Sequence, residues 1–376
     1  MSYSRSYPAA TSGGRKFLAA RMEEVINNAA YKEAAFTPLP NGQVFGVGGG
    51  GQTSLGSLYM AKDISTDYSL DYSADFTAAT SLLTGYTSVV LHDIVALTTA
   101  TAAVLFADNA GTDKLYVGYV TGIGATLACT AIEVESGTDV PVSARYARIE
   151  KITDTSVLVA FPNGATQIFI NTVTGLGTTN TVNTKQTVTS APQNSSMVAD
   201  IVVLSSSLAA VSFNDNSNIV RICPVTGLTG TVTVGTDHSV DTSASTTTGR
   251  WPALVKLSAT SLGVLYETAA NRYRPVTDVG GTPTNGTILT LGGLPCNFSF
   301  AGLLSESHAC GNSNTGNPLT MGVYDLTTTP AALSDDLESA GVFTSYSSNQ
   351  IKIRAYGGVC PMGRYSSNQV MLSLLS

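Results

Sequence analysis

Charge is scarce in this chain of 376 residues: Asp, Glu, Lys and Arg together make up 12%. That is half of the roughly 25% usual in globular proteins. The 19 basic residues are outnumbered by 26 acidic ones, giving a formal charge of −7. A phosphate backbone calls for a basic face, so this balance argues against nucleic acid as a partner. No run approaches the ~18 apolar residues of a membrane span. The N-terminus lacks the charged-then-apolar layout of a signal peptide, which predicts synthesis in a reducing cytoplasm. Five cysteines (Cys129, Cys223, Cys296, Cys310, Cys360) are widely spaced with no CxxC pair. This pattern is neither a disulfide framework nor zinc spacing, and small buried hydrophobes are expected instead.

What the chain has in abundance is hydroxyl and glycine: 49 Thr, 40 Ser and 36 Gly, beside 43% hydrophobic residues. The composition argues against a disordered chain, since disordered chains combine low hydrophobicity with high charge. Residues 1–35 differ from the rest. Residues 1–14 are polar and rich in Gly and Ser. In the stretch that follows, Phe17, Leu18, Met22, Val25, Ile26 and Ala29 recur at spacings of three and four. That pattern predicts one amphipathic helix, whose stripe must be buried against the body or another subunit. The arm and helix are expected to attach the chain to an assembly, and to be removable without unfolding the body.

From residue 36 onward the period is two, and the pattern repeats. Apolar strands open at Ile94, Ile149, Ile201 and Leu254. The aromatic that closes the next strand falls at Phe106, Phe161, Phe213 and Tyr266, and a Val-Thr pair after the third strand begins at Val120, Val173, Val225 and Val276. Repeats are therefore expected near 36–88, 89–145, 146–197, 198–250, 251–297, 298–346 and 347–376. Each full repeat has room for four strands, the fourth rich in Thr and Ser. Four-stranded units of this length are the signature of a β-propeller. The expected fold is all-β, a propeller of seven blades with six as the alternative, preceded by the helix. A shorter last repeat suits ring closure by strands from both chain ends.

Catalytic signals are few. His92 stands beside Asp93, but no GxSxG elbow supplies a nucleophile. No HExxH or metal-ligand cluster occurs, and Gly46–Gly51 has no following Lys-Ser/Thr, so a phosphate loop is excluded. No catalytic residue, cofactor or metal is assigned. Asp335, Asp336 and Glu338 are read as a solvated loop rather than the carboxylate pair of a glycosidase. Asn214–Asn218 lacks the Gly and distant Glu of a calcium loop and is read as a hairpin turn. The segment Ser245–Trp251 falls one residue short of the sialidase turn and lacks its Asp. Trp251 is expected in the core or between blades, with a sugar-stacking platform as the alternative. Polar residues on or beside first strands are candidates to line a central channel: His92, Asp93, Arg148, Glu150, Lys151, Asp200 and Lys256.

Two resemblances follow. The run Leu39-Pro40-Asn41-Gly42-Gln43-Val44 with its glycines is similar to a kelch-type blade motif. In style, the chain resembles virion proteins of tailed bacteriophages. These are rich in Ser, Thr and Gly, made without signal peptides, and carry an attachment segment before a β-rich body. The resemblance implies a non-enzymatic, multi-copy, tail-associated component, assembled in the host cytoplasm and carried in the virion. Its partners would be other virion proteins through the N-terminal segment, and a bacterial surface glycan or protein. The alternative is a glycan-degrading hydrolase or lyase on the same scaffold; a cellular scaffold propeller is a third option.

Overall fold

A computed structural model describes residues 17–21, 33–40, 44–49, 52–60, 76–109, 111–141, 147–163, 167–189, 200–243, 252–268, 271–290, 301–305, 308–312, 321–325, 351–353, 360–366 and 369–375. Every regular element among them is a β-strand. The third repeat shows the plan. Arg148–Thr153, Ser156–Pro162 and Ile168–Thr174 form an antiparallel meander, and Thr181–Val182 and Gln186–Thr189 extend it as two pieces of a fourth strand. The fourth repeat (Asp200–Ser205, Leu208–Asn214, Val220–Thr226, Thr233–Val234, His238–Asp241) and the fifth (Ala253–Lys256, Leu262–Glu267, Asn271–Thr277, Thr284–Asn285, Leu289–Thr290) copy it.

The first two repeats share one long strand, Phe76–Ala96. Its first part pairs with Gln52–Met60, and the stretch from Val89 to Ala96 pairs with Thr101–Asp108. The boundary expected near residue 88 falls inside this strand, so both repeats belong to a single eight-stranded sheet. In the sixth repeat, Ala301–Ser305, His308–Asn312 and Met321–Asp325 form a three-stranded meander.

Burial explains the sequence pattern. The second strands Ser156–Pro162 and Leu208–Asn214 are buried along their whole length. Val157, Val159 and Phe161 pack toward the second repeat, while Leu158 and Ala160 pack toward the fourth. A strand covered on both faces has no use for alternation, hence the continuous apolar runs. Phe106, Phe161, Phe213 and Tyr266 are all buried, each in the cluster formed with the preceding repeat. These are the equivalent positions the spacing predicts. Burying each such side chain contributes about 1.5–3 kcal/mol.

The helix expected near the N-terminus is corrected at the residues described. Phe17–Arg21 is a β-strand, antiparallel to Gln369–Leu375, at the edge of a sheet completed by Cys360–Ser366. Helical spacing is a weak preference that tertiary pairing overrides: the ladder to Gln369–Leu375 supplies the backbone partners that a helix would supply internally. Met22, Val25 and Ile26 lie outside the described residues, as do Trp251, Asp335, Asp336 and Glu338. Glu33–Pro38 pairs antiparallel with Val44–Gly49 and parallel with Ile351–Ile353, so both chain ends enter the same sheets.

Candidate functional site

The residues expected to line a channel stand where first strands of successive repeats run side by side. The structure brings most of them together, as joints between repeats. Asp93 is buried, and its carboxylate accepts from the Ile94 amide (2.9 Å) and from the Ile149 amide of the next repeat (3.1 Å). Asp200, one repeat pair later, accepts from the Leu254 amide (2.7 Å). Arg148 is buried between them and faces Asp200 across the third and fourth repeats at 3.6 Å. At the start of the series, Thr37 Oγ1 accepts from the Ala96 amide (3.1 Å).

His92 has a different local cause. The ladder to Thr101–Asp108 shifts register between Leu91 and Asp93, leaving His92 as the extra residue of a β-bulge, fully buried. The bulge turns Asp93 toward the third repeat. Lys151 donates to the Leu97 carbonyl of the second repeat and pairs with Asp154 (2.6 Å). Glu150 is half-buried in the same strand, and Lys256 is exposed at the end of Ala253–Lys256.

A second set of joints, missed in the sequence, lies on the fourth strands. Glu135 and Asp241 occupy matching places, each after a buried Val, and each reaches a cation of the following repeat. Glu135 pairs with Lys185 at 2.5 Å, which also meets Asp139 at 2.7 Å and sits 4.5 Å from the centre of the Phe169 ring. Burial disfavours the Lys185 ammonium, but the bonds to Asp139 and Glu135 outweigh it and hold its pKa above the ordinary lysine value. Asp241 accepts from Arg272 (2.6 Å), the Tyr266 hydroxyl (2.8 Å) and the Ser243 amide (2.8 Å). Burial alone would raise its carboxyl, yet these bonds hold it below the usual carboxylate range. Tyr266 is pushed up, first by burial and then by Asp241. Beside it, Arg274 donates to the Val240 carbonyl and Asn285 to the Ser239 carbonyl (2.8 Å). The signal available in the sequence was the Tyr at 266 where other repeats carry Phe: its hydroxyl needs a partner when buried.

Chemically, these carboxylates act as acceptors for amides, guanidinium and ammonium groups. Among the described residues no group of three or more His, Cys, Asp or Glu is placed to hold a metal ion. Burial pushes the thiols of Cys129 and Cys223 up to about 12, consistent with inert core residues. Asp215 accepts from the Ser217 and Ile219 amides and pairs with Arg221 at 2.5 Å, so the Asn214–Asn218 segment is a hairpin turn.

No family model matches the sequence, and no curated protein matches it. Solved structures do resemble it in shape. A chain of the mitotic checkpoint complex aligns at a TM-score of 0.54 with 10% identity, over 99% of this chain and 97% of that one. A 6-phosphogluconolactonase candidate from Bacteroides fragilis NCTC 9343 aligns at 0.53 with 11% identity, over 89% of this chain and 94% of that one. Puromycin hydrolase aligns at 0.52 with 11% identity, over 90% of this chain and 55% of its own. At such identities the likeness speaks for the fold alone. With its recurring antiparallel four-stranded sheets packed face to face and first strands side by side, the chain is a repeat protein of the β-propeller type.

Proposed function

We propose that the protein is a seven-bladed propeller serving as a structural, tail-associated component of a tailed-phage virion, present in several copies. Its role is to present a rigid ring for recognition of a bacterial surface glycan or protein, or to brace the tail. In this reading the seventh blade is the sheet of Cys360–Ser366 and Gln369–Leu375 from one chain end with Phe17–Arg21 from the other. The observation that carries the non-enzymatic reading is the engagement of Asp93, Arg148 and Asp200 with the neighbouring repeats. An acid–base pair for glycan cleavage needs carboxylates turned to substrate, whereas Asp93 and Asp200 serve as acceptors for backbone amides. The phage setting is supported by the Ser, Thr and Gly content and the N-terminal segment.

Gold-labelled antibodies against the purified chain, applied to particles released by the source culture, test the proposal. Decoration of tails at several positions per particle is expected. Label found only on free protein or host cells overturns the virion assignment. Release of reducing sugar from host surface polysaccharide by the purified chain would instead favour the glycan-degrading alternative.

A further inference from the structure

Phe17–Arg21 is held in its sheet by one neighbour. Phe17 lies opposite Leu375 and Arg21 opposite Met371, and the strand is outermost in an order that continues through Gln369–Leu375 to Cys360–Ser366. Among the described strands none lies on its far side. Its sequence also opposes its conformation. FLAAR contains two alanines, which favour helices and are depleted in strands. Phe17 and Leu18 also begin the helical three-and-four spacing that continues through Met22, Val25 and Ile26. The second strands, by contrast, have local pattern and tertiary placement in agreement. A segment in which the two conflict is a marker of a functional or strained element. Because Phe17–Arg21 comes from the opposite chain end, its release leaves the hairpin of Cys360–Ser366 and Gln369–Leu375 intact.

We infer that Phe17–Arg21 is a detachable strap. It is a strand while it covers the edge of Gln369–Leu375, and it leaves that edge as one unit. Release would place the Phe17–Leu18 end of the apolar stripe at the disposal of an assembly partner. This rests on the attachment role proposed above, but the test uses the full-length chain alone.

Hydrogen–deuterium exchange of the intact protein, read by peptide mass, measures the opening. The amides of residues 17–21 are expected to exchange in step with those of Gln369–Leu375 that face them, at least about 100-fold faster than the core strands at Val157–Phe161 and Ala209–Phe213. Ala19 and Ser373 are opposite one another in the ladder, so a disulfide in the Ala19→Cys, Ser373→Cys variant should abolish the fast exchange, and reduction should restore it. Should that variant fail to fold, the wild-type exchange decides by itself. Strap amides that exchange only with the core, or that lack protection from the first time point, overturn the inference. Neither result bears on particle labelling, so the virion reading stands or falls separately.

Discussion

Asp93 ties the second repeat to the third, because its carboxylate satisfies amides in both at once. Replacing it with Ala leaves the Ile94 and Ile149 amides without that acceptor, and an orphaned buried donor costs about 1–3 kcal/mol. Asp93→Ala is therefore expected to lower the urea midpoint by an amount equivalent to about 2–4 kcal/mol, with Asp93→Asn less severe. Tyr266→Phe is the milder counterpart at the fourth-to-fifth joint. Phe already fills the matching places at 106, 161 and 213, so only the hydroxyl bond to Asp241 is lost, about 1 kcal/mol in a thermal melt. Asp241 also gives a pH dependence. Its folded pKa lies below its ordinary value, so its contribution is complete above the unfolded pKa of about 3.9. That contribution disappears as pH falls through the lower folded value. Asp241→Asn should lower stability at neutral pH and flatten its decline between about pH 4 and pH 2.

At the scale of the strand and turn, hydroxyls do locally what charge does in other proteins. In four successive first hairpins, Thr98, Thr153, Ser205 and Ser258 each accept from the amide two residues on, at Ala100, Thr155, Ser207 and Thr260. Such hydroxyl turns need no ionised group. The Val-Thr signal also has a cause. The next residue is Gly122, Gly175 or Gly227, with φ of 71°, 68° and 73°. A Cβ there would lie 1.9, 2.3 or 2.1 Å from the carbonyl oxygen of Thr126, Thr179 or Thr231. The fifth repeat manages with Asp278 at φ 52°, whose carboxylate accepts from the Thr282 amide at 3.1 Å. Gly227→Ala should thus lower stability by at least about 1–2 kcal/mol in chemical denaturation, the cost of a left-handed backbone for a residue with a Cβ. Asp278→Gly should change it by less. The Val-Thr positions were legible because they recur in four repeats. The interruption of the fourth strands at 183–185, 235–237 and 286–288 was not: a Thr-rich outer strand reads the same with or without a break, and only the partner strand shows where pairing stops.

For the whole molecule, the decisive feature is that both chain ends enter the same sheet. Removing residues 1–21 should leave the body folded but expose the edge of Gln369–Leu375. Concentration-dependent association in size-exclusion chromatography is the expected result, while removal of residues 1–16 should leave a monodisperse profile. Low charge is compatible with this architecture. Second strands are covered on both sides, outer strands use Thr and Ser, and ion pairs such as Arg148–Asp200, Glu135–Lys185 and Asp241–Arg272 join one repeat to the next. The sequence by itself determined the period, the all-β class and the buried aromatic positions, since burial on both faces and left-handed turns act over a few residues. Only the tertiary structure decided that Phe17–Arg21 is a strand and that Asp93, Arg148 and Asp200 are joints. Both outcomes depend on groups hundreds of residues away or one repeat over, whose approach no local spacing encodes.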